Sequence, residues 1–389
     1  MIPYGKQDIN QADIDSVIEV LKSDFLTQGP KVPAFESAVK SYTGASFAVA
    51  VNSATSALHL ACLSLGFGEG DILWTSSISF VASANAGLYC GGLVDFVDID
   101  IDTNNMSISK LKEKLIGAQK SGNLPKIVMP VHMGGFSCDM EAIRTLSKEF
   151  GFKIIEDASH AIGAKYRDKS VGSCEFSDVT VFSFHPVKII TTGEGGVAVT
   201  NDVNVYNHLN GLRTHGITRD KQQLHNKTEG DWYYEQIDLG FNYRMTEMQA
   251  ALGCSQMNRL DEFVSIRNEH ASFYHQALSA LDITLPITAP GIYSSYHLFV
   301  IKLNSRCSNQ RRLIFDYMRH SGIGVNVHYI PIHLQPYYRK LGFDVGDFVN
   351  SEIYYDCAIS IPLYSQITQA DMDKVVSTLS AALELPYEK

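Results

Sequence analysis

Residues 183–196 read SFHPVKIITTGEGG and place one lysine, Lys188, in a loop between two apolar runs. The runs at 179–182 and 196–199 are short, rich in β-branched residues and bounded by turn residues, which predicts two buried strands. A lysine held there, among glycines and hydroxyls, is desolvated, and its pKa falls. The neutral amine is then a nucleophile that can form a Schiff base with a carbonyl cofactor. The alternative is a solvated loop lysine, the ordinary state of this residue type.

A second strand ends in two carboxylates. Residues 153–161 read KIIEDASHA, a buried strand followed by a turn. An aspartate at the carboxyl end of a parallel strand points into the crevice where α/β sheets bind ligands. Asp157 is therefore predicted to hold the pyridine nitrogen of pyridoxal phosphate protonated, with Glu156 facing away, so that the ring acts as an electron sink. His160 is predicted to bond the phenolic oxygen of the ring. A helix cap at Asp157 and a core histidine at His160 are the alternatives.

Two further segments suit the same cofactor. A strand pattern at 47–51 leads through NSATS at 52–56 into an amphipathic helix. The free amides and partial positive charge of a helix N-terminus suit a phosphate dianion, although simple N-capping also explains this sequence. Phe80 follows another strand pattern at 71–75 and is placed to stack on the cofactor ring, unless it packs in the core as most phenylalanines do.

Composition restricts the class of protein without identifying it. The 389 residues carry a net charge of −10, so a nucleic-acid groove or a basic membrane face is not expected. The seven cysteines are scattered, which argues for reduced thiols in the cytoplasm and against a disulfide or zinc framework. No metal site is expected. The N-terminus does not resemble a signal peptide, and no apolar run of about 18 residues is present to span a membrane.

Strand and helix patterns alternate as far as residue 200, which predicts an α/β fold with a mostly parallel sheet and helices on both faces. Two domains are expected, a large one at 1–255 and a smaller C-terminal α+β domain at 256–389. A long helical stretch at 246–281 is expected to bridge them. The second domain is predicted to contain strands at 296–303 and 324–328 and a helix at 310–321. The polar segment 219–231 is predicted to be a surface loop, and folding over a substrate is an equal alternative.

The order of these motifs resembles the DegT/StrS family of nucleotide-sugar aminotransferases. The specific part is the block SFHPVKIITTGEGG, preceded by EDASHA, SFVA and the capping segment NSATS. The resemblance runs nearly end to end, through IPYGKQ at 2–7, LTQGP at 26–30, GFNYRM at 240–245, GVNVHY at 324–329 and ISIPLY at 359–364. It implies the aspartate aminotransferase-like fold, fold type I of the pyridoxal phosphate enzymes.

The resemblance also implies a role for each matching residue. Lys188 would carry the cofactor and then shuttle protons, and Asp157 would pair with the ring nitrogen. The phosphate site would consist of Ala54, Thr55 and Ser183, with Asn242 reaching that phosphate from the neighbouring subunit and Arg244 binding the donor carboxylate. The predicted walls of the sugar site are His185, His328, Tyr329 and His333, and tertiary packing is an equal alternative for each of them. Ala54 departs from the family's usual glycine, a change tolerated if its backbone is helical. A capping turn before a helix at 247–257 is the alternative for Asn242 and Arg244.

The activity implied is ping-pong transamination by a homodimer, with pyridoxal phosphate as cofactor and L-glutamate as donor. The segments are most similar to the branch that aminates a UDP-linked 4-keto-6-deoxy sugar in pseudaminic acid biosynthesis. Other 3-keto or 4-keto nucleotide sugars (dTDP, GDP or UDP) are the alternative substrates, since single pocket contacts shift specificity by only a few kcal/mol. Rival classes are another pyridoxal enzyme of this fold, such as a lyase or desulfurase, and a sensor that only binds the cofactor.

Overall fold

The secondary structure is known for residues 1–226, 230–304 and 310–385 of a computed structural model. The strands are β1 (Phe47–Val51), β2 (Ile72–Ser76), β3 (Leu93–Val97), β4 (Ile127–Met129), β5 (Lys153–Asp157), β6 (Lys165–Tyr166), β7 (Lys169–Ser170), β8 (Val179–Ser183), β9 (Gly196–Thr200), β10 (Ile217–Thr218), β11 (Glu235–Gln236), β12 (Ile283–Thr284), β13 (Ile292–Tyr293), β14 (Phe299–Leu303) and β15 (Ala358–Ile361). The helices are α1 (Gln11–Leu21), α2 (Lys31–Thr43), α3 (Ala54–Ser64), α4 (Ala82–Tyr89), α5 (Ile108–Ser121), α6 (Met140–Phe150), α7 (Val203–Arg213), α8 (Glu247–Met257), α9 (Leu260–Ala277), α10 (Arg311–His320), α11 (Pro336–Arg339), α12 (Val349–Cys357) and α13 (Gln369–Leu383).

The larger sheet has seven strands in the order β1-β9-β8-β5-β4-β2-β3. Neighbours from β8 to β3 pair in parallel, whereas β9 runs antiparallel to both β1 and β8. Alternate residues of a strand enter different cores. In β1, Val49 and Val51 pack with α3 and α7, while Ala48 and Ala50 pack with α2, α8 and α9. Helices therefore cover both faces, and the predicted α/β fold is confirmed.

The second sheet has three strands in the order β12-β14-β15, all antiparallel. Its core includes buried residues of α9, α10 and α13. The N-terminus joins the same core, because Ile2 is buried there and its N–H donates to the carbonyl oxygen of Gly322 at 2.8 Å. The N-terminal strand-like segment thus crosses to the C-terminal half of the chain. The domain boundary at 255/256 stays a prediction.

Two predicted elements differ from the structure. The helical stretch 246–281 is broken at Asn258 and Arg259 into α8 and α9, and Thr246 caps α8 with a capping box. The segment 324–328 is not a strand; Asn326 forms only an isolated bridge with Ser360 of β15. The third strand of the small sheet is β12 instead. The run 324–328 meets the edge strand β15 only at Asn326, and its residues 326–328 line a cavity.

Five cysteines are free thiols, at positions 62, 90, 138, 174 and 254. Cys357 is disulfide-bonded, so the expectation of reduced thiols is wrong for this residue, and Cys307 lies outside the described residues. Within the described ranges, no helix is both long and apolar enough to cross a bilayer.

Candidate active site

A cavity of about 900 Å³ opens at the carboxyl ends of the parallel strands. This is where open α/β sheets place their ligand crevice, because the connections to the following helices diverge there. The cavity brings together ten of the thirteen residues predicted for the cofactor and substrate sites: Ala54, Thr55, Phe80, Asp157, His160, Ser183, His185, Lys188, His328 and Tyr329. The prediction that these distant segments form one site is consistent with this geometry.

Lys188 lies in the loop between β8 and β9 and is partly buried at the cavity wall. Burial lowers the pKa of its amine to about 8, because the charged form loses water, and the negative charge of Asp157 offsets only part of this shift. A fraction of the amine is therefore neutral near pH 7, and this neutral form is the nucleophile.

Asp157 ends β5 and is 4% exposed. The hydroxyl of Ser83 donates to its Oδ2 at 2.6 Å, and the N–H of Ser159 donates to Oδ1 at 3.1 Å. These donors fix the orientation of a carboxylate that lines the cavity. Glu156 faces the other way, as predicted, and accepts from Thr180 Oγ1 at 2.9 Å within a buried network.

His160 has both ring nitrogens engaged by the protein. Its Nδ1 accepts from the N–H of Gly134 at 3.3 Å, so the ring proton lies on Nε2, which is 3.0 Å from the hydroxyl of Tyr329. Burial, reinforced by the charge of Lys188, holds the pKa of His160 well below its usual value. His160 is thus a neutral imidazole. Whether it also meets the phenolic oxygen of a cofactor stays a prediction.

The N-terminus of α3 points its free amides toward the cavity. Ser53 is the N-cap, and its side chain accepts from the N–H of Ser56 at 3.1 Å, so the N-capping alternative is also correct. The first helical backbone bond runs from Ala57 to Ser53, which leaves the N–H groups of Ala54 and Thr55 ahead of it. Ala54 is the first helical residue, so its departure from glycine is tolerated in the way expected.

Gly196 holds β9 against the start of this helix. A Cβ atom at Gly196 would lie 2.5 Å from the backbone nitrogen of Ala54 and 2.6 Å from its Cα. Both are backbone atoms, so the helix itself has to move to admit a side chain. Only glycine permits this approach.

Replacing this glycine tests the packing directly. Gly196→Ala is expected to destabilise the fold by about 1–3 kcal/mol, because overpacking forces backbone shifts, and to lower the affinity for pyridoxal phosphate if its phosphate binds at α3. Thermal unfolding and pyridoxal phosphate affinity measure the two effects. Gly211→Ala is the matched control, since a Cβ there meets nothing within 4 Å. If the two variants have the same thermal stability and the same cofactor affinity, β9 does not approach α3 as closely as described.

The remaining wall residues are aromatic or imidazole side chains. Phe80 is 58% exposed, so the core alternative is wrong, and its ring centre lies 6.2 Å from that of Tyr329. His328 lies between Asn326, whose Nδ2 is 3.3 Å from Nε2, and Ser360, whose Oγ is 2.8 Å from Nδ1. Burial lowers the pKa of His328 to about 4, so this ring is neutral as well.

Three predicted residues lie outside the cavity. His333 is wrong as a wall of the sugar site, because its buried ring packs on Phe348 and its Nε2 lies 3.0 Å from Glu352. Arg244 forms a bridge with Val51 beside β1, and Asn242 is exposed and bridges Thr214. Neither lines the cavity of its own chain. Both residues precede α8, which begins at Glu247 as expected, but its N-cap is Thr246, so neither residue caps the helix itself.

Sequence reasoning missed several residues of the cavity. Ser83 donates a hydrogen bond to Asp157. The sequence signal that could have indicated this role was its position three residues after Phe80, on the first turn of α4. His297 is 5% exposed, its ring centre lies 4.4 Å from that of His160, and its Nδ1 has no partner among the described residues. Tyr4 lines the cavity from the N-terminal segment. The sequence IPYGKQ of that segment carries part of the family resemblance, but the resemblance gave Tyr4 no predicted role.

Comparison with known proteins settles the class of this site. The DegT/DnrJ/EryC1/StrS aminotransferase family model matches residues 7–380. The chain belongs to this family. A UDP-4-amino-4,6-dideoxy-N-acetyl-beta-L-altrosamine transaminase of Campylobacter jejuni (strain 81-176) is 38% identical over 385 residues, covering 99% of this chain and 98% of that protein. The DegT/DnrJ/EryC1/StrS assignment thus extends over both sheets.

Solved structures of the same family share the fold. Helicobacter pylori PseC, an aminotransferase involved in pseudoaminic acid biosynthesis, superposes with a TM-score of 0.89 at 31% identity, covering 98% of this chain and 99% of that one. Spr1654 of Streptococcus pneumoniae, a candidate sugar aminotransferase in its PMP form, gives 0.90 at 28% identity and covers 99% of both chains. The expected fold type I and the enzyme class, a pyridoxal phosphate-dependent sugar aminotransferase, are confirmed.

Proposed function

We propose that this chain moves an amino group from L-glutamate to C4 of UDP-2-acetamido-2,6-dideoxy-β-L-arabino-hex-4-ulose, with pyridoxal phosphate as cofactor. The observation that carries the proposal is the meeting of Lys188 and Asp157 in one cavity behind the N-terminus of α3. This cofactor needs an amine of lowered pKa at its carbonyl carbon, a fixed carboxylate at its ring nitrogen and free amides at its phosphate.

The residues present fit pyridoxal phosphate. The amides of Ala54 and Thr55 and the hydroxyl of Ser183 would hold the phosphate, and Asp157 would hold the ring nitrogen. Phe80, exposed in the cavity, would cover one ring face. When bound, this cofactor supplies a carbonyl to which amines add and a ring that accepts electron density.

Lys188 would then act twice, first as the amine that holds the cofactor and afterwards as a base and acid. Its Nζ would take a proton from the donor's α-carbon and deliver one to C4 of the sugar. His160, His297 and His328 all have pKa values lowered by burial, with a further lowering from Lys188. Neutral imidazoles around the amine leave Lys188 as the group that changes charge near pH 8.

This assignment predicts the pH dependence of cofactor attachment. The neutral fraction of an amine of pKa about 8 rises with pH through that value and then saturates. The rate at which the cofactor-free chain adds pyridoxal phosphate is therefore expected to rise to about pH 8 and to level off above about pH 9. Absorbance on rapid mixing gives the rate, after subtraction of the Lys188→Ala rate. A rise continuing to about pH 10.5 would indicate an ordinary exposed lysine.

The active unit is proposed to be a homodimer in which Asn242 reaches the phosphate of the partner. Asn242 is exposed and lies outside its own cavity. The segment leading to it exposes large apolar side chains, among them Trp232 at 75% and Leu239 at 77%. Several large apolar side chains exposed within one segment are the composition expected of a protein interface.

Mixed dimers test the shared site. Lys188→Ala and Asn242→Ala are each expected to be inactive, since each removes a residue from both sites of a symmetric dimer. After subunit exchange in equal amounts, activity is expected to return to about a quarter of the wild-type value, because half of the dimers then contain one intact site of two. Sedimentation confirms that exchange has occurred. No gain above the two separate variants would place Asn242 outside the active site.

The choice of sugar is supported by the similarity to the Campylobacter jejuni transaminase, whose name specifies a UDP-linked altrosamine. The proposal is tested with enzyme first converted by glutamate and then freed of excess donor. A single turnover with the UDP-linked 4-keto sugar is expected to be fast, and dTDP-linked and GDP-linked 4-keto sugars are expected to react at least about tenfold more slowly. Enzyme without prior glutamate is the control. Equal rates with all three sugars refute the proposed substrate.

A further inference from the structure

Two cysteines meet where α3 packs against α4. Cys62 lies on α3 and is fully buried, whereas Cys90 is the C-cap of α4 and is partly exposed. The sulfur of Cys90 lies 3.9 Å from the carbonyl oxygen of His59 and 3.2 Å from that of Ala86. His59 and Cys62 are three residues apart and therefore share one face of α3. Cys90 thus lies against the face of α3 that carries Cys62.

The two sulfurs are within hydrogen-bond reach of each other. The thiol of Cys62 donates to the sulfur of Cys90, and the ring of His59 provides a second hydrogen bond to it. The bond from Cys62 lowers the pKa of Cys90 below its usual value, with a smaller contribution from His59, although burial acts in the opposite direction. Burial raises the pKa of Cys62. The pair therefore combines a thiol that ionises easily with a neighbour that stays protonated.

The other free cysteines of the described residues lack this combination. The reactivity of a cysteine toward oxidants follows its thiolate fraction and its exposure. Cys138 and Cys174 are buried. Cys254 is partly exposed, but burial raises its pKa, and its sulfur lies 3.9 Å from a backbone carbonyl oxygen. Cys90 is therefore the free cysteine expected to react first.

Each of the two helices also carries part of the active-site cavity. α3 begins at Ala54, which lines the cavity, and the first turn of α4 carries Ser83, which donates to Asp157 at 2.6 Å. Cys62 and Cys90 lie toward the opposite ends of these helices. A disulfide would draw their sulfurs from hydrogen-bond contact to about 2.05 Å, so the side chains and the two helices must shift. A bond between the helices is therefore expected to displace groups that line the cavity.

We propose that Cys62 and Cys90 are a reversible oxidation site, at which a hydroperoxide links α3 to α4 and slows the enzyme. The thiolate of Cys90 attacks one oxygen of hydrogen peroxide, the O–O bond breaks, and Cys90 becomes a sulfenic acid as hydroxide leaves. The sulfur of Cys62 then attacks that of Cys90 and forms the S–S bond, and the displaced hydroxyl leaves as water with the thiol proton of Cys62. The two sulfurs together give two electrons to one peroxide, and a dithiol reductant returns them.

Peptide mapping of the full-length, cofactor-loaded enzyme tests the site without catalysis. After treatment with hydrogen peroxide and blocking of the remaining thiols, digestion is expected to yield linked peptides that contain Cys62 and Cys90 and that dithiothreitol separates. In Cys62→Ala, Cys90 is expected to stop at the sulfenic acid, which dimedone traps. Cys254→Ser is the matched control and is expected to form the same linked peptides as the wild type. If the wild type yields no linked peptides, or if dimedone labels Cys254 in place of Cys90, the inference is overturned.

The glutamate half-reaction measures the consequence for the enzyme. Peroxide is expected to slow this half-reaction of the wild type by about tenfold or more, since small displacements of catalytic groups are costly, and dithiothreitol is expected to restore it. Cys90→Ser is expected to keep the rate of the untreated enzyme and to lose the effect of peroxide. Equal slowing of Cys90→Ser and the wild type, or linked peptides without slowing, overturns the regulatory role.

The kinetic readout rests on the proposed function, because it uses glutamate as the donor, whereas the peptide map does not. If the reduced wild-type enzyme fails to react with glutamate, the proposed function is wrong. The linked peptides of Cys62 and Cys90 then still decide whether the two thiols form an oxidation site.

Discussion

Lys188→Ala is expected to abolish transamination, with a loss of at least about 10³-fold in kcat, because one residue supplies both the nucleophilic amine and the proton transfers. The variant is also expected to lose the absorbance band of covalently held cofactor, while pyridoxal phosphate still binds through its phosphate and ring. Single-turnover kinetics with glutamate, together with an absorbance spectrum of the loaded protein, measure both effects.

The matched control is Lys169→Ala, a lysine on β7 whose charged group pairs with Glu175 at 3.5 Å on the surface. This variant is expected to keep wild-type kinetics, since an exposed ion pair contributes little to stability. If Lys188→Ala retains more than about a tenth of the wild-type rate, another group moves the proton and the assignment of Lys188 is wrong.

Asp157→Asn is expected to lower kcat by roughly 10²–10³-fold, the usual effect of removing one preorganised electrostatic partner from an active site. The amide keeps the size of the carboxylate. Its oxygen can still accept from the N–H of Ser159, and its NH2 group can donate to the hydroxyl of Ser83. Folding is therefore expected to survive while the negative charge beside the ring nitrogen disappears. Steady-state kinetics measure the loss of kcat, and thermal unfolding shows whether the fold survives.

Ser83→Ala provides the intermediate case, because it keeps the charge of Asp157 and removes one donor that orients it. Its loss of kcat is expected to be smaller than that of Asp157→Asn, and its cofactor affinity should stay close to the wild-type value. If Asp157→Asn keeps the wild-type kcat, the charge of Asp157 has no part in the reaction.

Much of the larger sheet was predictable because its strands carry local signals. The runs at β1, β5, β8 and β9 are short, β-branched and buried on both faces. Because β1, β5 and β8 run in the same direction, the residues that follow these three strands lie at one edge of the sheet. Lys188 and Asp157 could be placed together on that argument alone. Their shared cavity follows from sheet geometry, which sequence patterns do encode.

The failures have a different physical origin. His333 is only four residues from Tyr329, yet the turn at Ile332–Leu334 sends its ring to the far side, against Phe348 and Glu352. Segment 324–328 is apolar enough for a strand, but it follows the cavity wall. Such outcomes depend on contacts made far along the chain, as does the bond from Ser83 to Asp157. Placing Asn242 in an active site would require the coordinates of a second chain, because it lies outside the cavity of its own chain.

The helix α4 serves two neighbours at once. Through Ser83 it holds the carboxylate at the base of the active site, and through Asn85, which accepts from the hydroxyl of Tyr338 at 2.6 Å, it is tied to α11. A substitution on α4 that breaks its bond to α11 is therefore expected to disturb the orientation of Asp157 as well, because one helix of eight residues carries both bonds.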